Sequence, residues 1–388
     1  MEKKAVIFMK LLHLSDLHIG KRLHEASLLE DQRYILDRIA DIVRQEAPDG
    51  VLIAGDVYDR IVPPAEAVRL LDDLLVKLSA AGAPVFLISG NHDSPERLSF
   101  ASRLLEKSRL YISPVYEGRV SPITLEDAHG PVDIWLLPFL KPVHLRHFFP
   151  EESIESYTDA LACAIRHMDL DPSRRNILVT HQFVTGAARC QSEESSVGGA
   201  DNVDAAVFDP FDYVALGHLH KPQRVGRDTA RYCGTPLKYS FSEARDQKSA
   251  TVVELGEKGH VSVDTVSLVP LRDLVELRGT YAELTLRDFY EGTHYREDYI
   301  HAILTDEEDV PDAAHKLRIV YPYLMKLDYD NRRTRAGFQL EEGADAARRE
   351  PLELLEEFYE RQNGQPMGEE QRTLARELME HIWEEENA

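Results

Sequence analysis

Cysteine is scarce in this chain. Cys163, Cys190 and Cys233 are the only three in 388 residues, and no two share a C-x-x-C spacing. That excludes a thiolate metal ribbon and a disulfide framework, and an odd count suits reduced thiols in a cytosol. No apolar run approaches the ~20 residues that a membrane-spanning helix needs. The opening MEKKAVIFMKLLHL has too short an apolar run for a signal peptide and no small-residue cleavage site. A cytoplasmic protein with no membrane association is therefore expected. A basic excess is also lacking. With 45 Lys/Arg against 68 Asp/Glu the net charge is −23, which taken globally argues against a nucleic-acid partner. The acidity is unevenly spread, however. Residues 1–120 carry 16 Lys/Arg against 18 Asp/Glu, a net of −2, whereas residues 341–388 carry 5 against 15, a net of −10. The global charge decides little about the first half of the chain. Internal repeats and low-complexity tracts are absent as well, which removes solenoids.

What the chain does have is a succession of short apolar runs alternating with helical patterns. Ala5–Leu14 reads as a strand and ends in SDLH. Leu28, Leu29, Ile35, Ile39, Ile42 and Val43 then recur at helical spacing until Pro48 stops the pattern. Val51–Ala54 is a second strand, ending in GDVYD. After Pro63-Pro64, Val68, Leu71, Leu74, Leu75 and Leu78 predict a second helix closed by Gly82. Val85–Ser89 leads into GNHD, Asn176–Thr180 into His181-Gln182, and Tyr213–Leu216 into GHLH. A β-α-β-α-β order of this kind predicts a parallel or mixed sheet covered by helices.

Each of the five runs ends, at its carboxyl side, in a loop that carries His, Asp or Asn. In open α/β sheets ligands bind at that edge. The set is Asp16, His18, Asp56, Asn91, His181, His218 and His220: two carboxylates, one amide oxygen and four imidazoles. Such N/O donors suit Mn, Fe or Zn, and seven are enough for two ions. Two cations held ~3.5–4 Å apart recur in phosphatases and nucleases. Singly, each residue has an ordinary explanation. An Asp after a strand caps a turn, and Asn91 fits a left-handed backbone. DxH, GD, GNHD and GHxH in this order, each after an apolar run, do not coincide by accident. Gly55, Gly90 and Gly217 would let the backbone turn tightly so that the next side chain reaches the ions.

DLHIG at 16–20, GDVYD at 55–59, GNHD at 90–93, THQ at 180–182 and GHLH at 217–220 resemble the calcineurin-like metallophosphoesterases. Within that superfamily the chain is similar to the SbcD nuclease subunits of bacterial SbcCD complexes. LLHLSDLHIGKRL, SSVGGADNVDAAVFDPFDYVALGHLHKPQ at 195–223 and RYCGTPLKYSFSEARDQKS at 231–249 carry this closer likeness. It is specific over residues 10–270 and looser beyond. The resemblance implies an α/β metallophosphoesterase sandwich, two mixed β-sheets flanked by helices, with a small α/β capping domain and a C-terminal helical hairpin. It implies two divalent ions, Mn²⁺ by preference. Asp16, His18, Asp56 and His220 would hold one; Asp56, as the bridge, with Asn91, His181 and His218 would hold the other. His92 would then be the general acid for the leaving alkoxide, with Asp93 orienting or charging its imidazole. Asp59 departs from the pattern, because some archaeal and eukaryotic relatives have a second active-site histidine there.

The implied activity is that of a metal-dependent DNA nuclease, a 3′→5′ double-strand exonuclease and a single-strand or hairpin endonuclease in recombination, replication and repair. Its partners would be DNA and an SbcC-type coiled-coil ATPase, in a heterotetramer containing a homodimer of this chain. Another phosphodiesterase or phosphatase on the same core, such as a nucleotidase or cyclic-nucleotide phosphodiesterase, is the alternative. Lys21 and Arg22 beside DLHIG are candidates for a DNA backbone, and Lys238 or Tyr239 for phosphate. A structural hairpin explains the latter pair equally well.

The expected organisation is a nuclease domain over 1–270, a cap over 271–340 and a partner-binding segment over 341–388. In the cap, LVELRG and KLRIVYPYLMKLDYD look strand-like and LRDFYE helix-like, around the acidic TDEEDV at 305–310. In the last segment Leu352, Leu355 and Phe358 share one helix face, and Leu374, Leu378 and Ile382 another. These stripes are expected to dock on the ATPase coiled coil.

Overall fold

The computed structural model describes residues 8–24, 26–188, 202–332 and 334, with 352, 355–356, 359, 366–369, 371–376 and 378. It divides into two compact units, Met1–Val275 and Glu276–Ala388. The first unit is a sandwich of two six-stranded mixed sheets. In one sheet Met9–Leu14, Gly50–Ala54, Val85–Ile88 and Leu110–Ile112 run parallel, in that spatial order. Ser249–Leu255 and Val261–Ser267 continue it as antiparallel strands on the other side of Met9–Leu14. In the other sheet Arg175–His181 is central, with Tyr213–Gly217 and Gly130–Leu137 parallel to it. Antiparallel partners close that sheet at Ile123–Asp127 and Gln223–Val225.

The parallel strands are apolar throughout because both of their faces are covered. Leu11, Leu52 and Phe86 of the first sheet share a buried core with Ile134, Ile177 and Tyr213 of the second. The outer face of the first sheet faces two helices. Leu29–Glu46 has Glu30 and Asp31 in its first turn, where the helix dipole favours acids. It buries Ile35, Leu36, Ile39 and Val43 and stops at Ala47, whose φ of 44° is left-handed, just before Pro48. Ala65–Ala80 follows the extended Pro64 and buries Ala67, Leu70, Leu71, Leu74 and Leu78. Val68, expected in this stripe, is 45% exposed. The stripe is centred one position earlier, on Ala67, whose small side chain is silent in a pattern of large apolar residues. On the outer face of the second sheet, Tyr157–Arg166 buries Leu161, Cys163 and Ala164, with Ser156 and Asp159 forming a capping box.

The second unit holds a three-stranded sheet, Leu274–Gly279, Tyr299–Leu304 and Leu324–Tyr329. LVELRG is a strand and RDFY a helix, as expected. KLRIV is not a strand: it completes the helix Ala313–Val320. Leu317 is the buried residue of that turn, so period 3.6 with one large apolar contact decides over β-branched composition. Further on, Leu352, Leu355, Glu356 and Tyr359 are helical, as are Glu369, Gln371–Arg376 and Leu378. Gln371 donates to the Tyr359 hydroxyl at 3.0 Å, and Arg372 pairs with Glu356. These contacts join two helical segments side by side. Leu352 and Leu355 are half-buried while Leu374 and Leu378 are exposed; Phe358 and Ile382 lie outside the described residues.

Candidate metal centre

The five strand ends converge. The DLH loop and the GDVY loop leave neighbouring parallel strands and are laced together by their backbones: Asp16 N–H donates to Gly55 O, His18 N–H to Asp56 O and Ile19 N–H to Val57 O, at 2.9–3.0 Å. The lacing holds backbone conformations that a free chain avoids. Asp16 (φ 52°), His18 (43°), Asp56 (47°) and His218 (106°) all lie at positive φ. Each costs on the order of 1–3 kcal/mol outside glycine and persists where the surroundings over-determine it. Four of the seven expected ligands therefore sit on strained backbone.

Their side chains face one another. Asp16, His18 and His220 offer donor atoms within 4.8 Å of each other, and so do Asp16, Asp56 and His181. Asp56 Oδ2 is 3.6 Å from His18 Nε2 and 3.3 Å from His181 Nε2. Asn91 Oδ1 is 2.9 Å from His181 Nε2 and 3.0 Å from His218 Nδ1. The imidazoles are oriented from behind. His181 Nδ1 faces the Ala54 carbonyl at 2.9 Å, which leaves Nε2 for the cluster. His220 Nδ1 faces Glu243 at 3.4 Å, with the same result. Such outer partners fix tautomer and ring direction in metal sites.

The electrostatics describe a site short of positive charge. Burial pushes the Asp16 carboxyl up to about 6, with the negative charge of Asp56 adding to it. Burial pushes Asp56 up too, but His181, then His18 and His92, outweigh it and hold it well below the usual carboxylate range. Burial alone would lower His181, yet the Asp56 carboxylate lifts it to about 9. His18 is held well below its ordinary value by burial, and neither of its ring nitrogens has a hydrogen-bond partner. A buried imidazole without hydrogen-bond partners is costly, and a neutral ring whose single lone-pair nitrogen lies near a carboxylate fits a divalent cation. The residues present thus fit a two-ion site of N/O donors.

Glycine makes the approach possible, though not always through φ. Gly55 does turn at φ +83°. Gly90 and Gly217 do not; they are needed for closeness. A Cβ on Gly90 would lie 2.1 Å from Asp56 Oδ1, and one on Gly217 would lie 1.8 Å from Ala54 O.

His92 stands at the rim, half-buried, its ring edge-on to His18 with centroids 4.9 Å apart. Its Nδ1 donates to the main-chain carbonyl of Asp59 at 3.1 Å. Its own N–H donates to Asp56 Oδ1 at 2.9 Å. This corrects the expectation for Asp93. The Asp93 carboxylate accepts from the N–H groups of Val57, Tyr58 and Gly90 at 2.9–3.0 Å and so braces the GDVY and GNHD loops against each other. The hold on the His92 ring comes from Asp59. The Asp59 side chain pairs with Lys21 at 2.8 Å.

Lys238 and Tyr239 are tied to protein rather than presented to a phosphate. Lys238 Nζ bonds Ala244 O at 2.7 Å and Asp273 at 2.8 Å. Buried Tyr239 donates to Leu17 O at 2.5 Å and accepts from Gln32, with its ring edge-on to His18. Arg22 is exposed. Three supporting residues carry no signal in spacing. Gln32 bonds the carbonyl of His18 at 2.7 Å from the first helix. Glu243 and Lys248 form a buried pair at 2.6 Å, and Lys248 also holds the carbonyl of His220. The last two lie in the 231–249 stretch, where the resemblance was the available signal.

Comparison with known proteins agrees with this geometry. The calcineurin-like phosphoesterase family matches residues 9–222. The type 5 capsule protein repressor C-terminal domain matches residues 270–363. The SbcD component of nuclease SbcCD from Staphylococcus saprophyticus is 36% identical over 323 residues, 82% of this chain and 84% of that protein. Its namesake in Staphylococcus epidermidis is 31% identical over 385 residues, 97% of this chain and 100% of that protein. The chain belongs to the calcineurin-like phosphoesterases and, among them, to the SbcD family.

Proposed function

We propose that this chain is the nuclease subunit of an SbcCD-type complex, a divalent-metal-dependent phosphodiesterase that cuts DNA together with an SbcC-type ATPase. The observation that carries the reading is the convergence of Asp16, His18, Asp56, Asn91, His181, His218 and His220 on one cluster at the strand ends of both sheets. Divalent ions bound there would activate water and neutralise charge on the phosphate. The chain itself supplies the proton. With Nδ1 donating to Asp59 O, His92 has Nε2 left to protonate the leaving alkoxide. Lys21, held by Asp59 beside His18, and exposed Arg22 would meet the DNA backbone.

The finer features of the reading are Mn²⁺ as the working ion, a 3′→5′ exonuclease with hairpin opening, and the cytoplasm as its place. Residues 1–270 would hold the chemistry, 271–340 would cap the DNA path and 341–388 would dock on the ATPase. A homodimer within the complex is supported by Phe100 and Leu104, 81% and 71% exposed just after GNHD. Another phosphatase or phosphodiesterase on this core is disfavoured, because the two staphylococcal relatives described above, each matched over most of the chain, are nuclease subunits. The deciding experiment offers end-labelled duplex and hairpin DNA with Mn²⁺, Mg²⁺, or EDTA. Cleavage with Mn²⁺ that EDTA abolishes is expected. Hydrolysis of nucleotides or phosphoproteins, with DNA left intact, would overturn the reading.

A further inference from the structure

A second group of metal-ligating side chains stands apart from the strand-end cluster, in the layer that covers the outer face of the second sheet. Glu152, Cys163 and His167 offer donor atoms within 4.8 Å of each other. Cys163 is in the last turn of Tyr157–Arg166, His167 caps that helix, and Glu152 belongs to the connection leading into it. The side chains are oriented from behind. His167 Nδ1 donates to the Cys163 carbonyl at 2.9 Å, so Nε2 carries the lone pair, and that atom is 3.6 Å from Glu152 Oε1. Phe149 stacks on the imidazole with centroids 4.1 Å apart, and Arg166 pairs with the other Glu152 oxygen. The Cys163 sulfur lies 3.8 Å from His167 Nδ1. Donors bound to one tetrahedral ion at ~2.0–2.3 Å stand roughly 3.3–3.8 Å from one another, so small side-chain rotations would bring all three onto a single ion.

An independent observation comes from a neighbouring segment. The Tyr116 side chain, 8% exposed, packs edge-on against Phe148, and its hydroxyl has no hydrogen-bond partner among the described residues. Burial, and then the Cys163 sulfur, push that hydroxyl up to about 12, which puts the two groups within electrostatic reach. Buried hydroxyls are nearly always paired, and a water completing the shell of an ion at Cys163 would pair this one. Burial, and then a hydrogen bond to Glu152, push the Cys163 thiol up to about 11, so without an ion it is no nucleophile. A bound cation reverses that, because a coordinating thiol is deprotonated outright. One thiolate and one carboxylate then balance two positive charges, and the S/N/O donor set favours Zn²⁺ over Mn²⁺ or Mg²⁺.

We propose that Glu152, Cys163 and His167 bind one Zn²⁺, with the Tyr116 hydroxyl bonded to a water in the fourth position. The ion pins the connection that carries Glu152 to the C-terminal end of the helix. This site is separate from the strand-end cluster and does not depend on whether the chain cuts DNA.

The test uses the full chain, stripped of metal by a chelator and titrated with Co²⁺ and then Zn²⁺. Co²⁺ bound to a thiolate gives a charge-transfer absorption in the near ultraviolet, which the N/O donors of the strand-end cluster cannot produce. The unaltered protein is expected to develop this band and to lose it when Zn²⁺ is added. By atomic emission it should hold one Zn²⁺ per chain more than Cys163→Ser does. Cys190→Ser should leave the band intact. His167→Gln and Glu152→Gln alter side chains that are 39% and 29% exposed, and each should weaken Co²⁺ binding by about tenfold or more. A band absent from the unaltered protein overturns the proposal, as does one that survives Cys163→Ser. A band left undiminished when His167→Gln and Glu152→Gln are combined overturns it too, since that marks a lone thiol binding metal adventitiously. Should Cys163→Ser fail to fold, that combined variant still decides.

Discussion

His92 and Asp93 are neighbours in sequence, yet they do unrelated work. Asp93 turns inward to three amide groups, and burial together with the charge of Asp56 pushes its carboxyl up to about 6. His92 turns outward and is fixed through a main-chain carbonyl, so its orientation does not depend on which side chain stands at Asp59. That is a physical reason why an Asp can occupy a position held by histidine elsewhere. If His92 gives up a proton and binds no metal, His92→Gln should leave two ions per chain by metal analysis and leave DNA affinity intact. DNA cleavage should fall by ~10²–10⁴-fold. Bis-p-nitrophenyl phosphate, whose leaving group needs no proton, should lose much less; an equal loss on both substrates would contradict the role.

At the scale of elements, the loops after the parallel strands work as interlocked pieces. Gly90 belongs to one loop, but the space it leaves empty belongs to Asp56 of another. Gly90→Ala should therefore move the Asp56 carboxylate and lower metal content per chain, measured by atomic emission. An unchanged metal content would show that the loop yields instead. The strand Met9–Leu14 carries a second constraint. His13 is fully buried, its Nδ1 3.0 Å from the Tyr213 hydroxyl, and burial pushes its pKa down to about 3. The folded chain keeps it neutral, whereas the unfolded chain protonates it near 6.5. Its contribution to stability is complete above about pH 6.5 and is lost as pH falls toward 3. In metal-free protein the urea midpoint should fall across that window, and His13→Gln should flatten the fall. Parallel curves for both proteins would remove His13 as the cause.

At the scale of the whole molecule, charge separates the two ends of the chain. The tail, residues 341–388, carries a net of −10 and would be repelled by DNA phosphate. Leu374 and Leu378 are 57% and 54% exposed on its second helical segment, apolar surface that a basic, apolar partner would cover. Leu355→Glu with Leu378→Glu should abolish co-purification with the ATPase and ATP-dependent action on duplex ends. Hydrolysis of a small activated diester should persist. Undiminished co-purification would assign the tail to its own unit.

The candidate metal ligands could be picked out of the sequence because each follows an apolar run of strand length, and the carboxyl edge of a parallel sheet is a defined place. Periodicity and residue type are local properties, and they determined the strands, the first helices and which residue types stand at the strand ends. What the tertiary structure decided is which atoms meet. Asp59 O finds His92 across a gap of 33 residues, and Glu243 finds His220 across 23. Lys238 and Tyr239, plausible as phosphate contacts by type, were turned to Asp273 and Leu17 by the packing around them. The KLRIV stretch became helix because one buried leucine outweighed its composition. Hydrogen-bond direction and burial arise only when distant segments close on one another, so no local pattern in the chain can carry them.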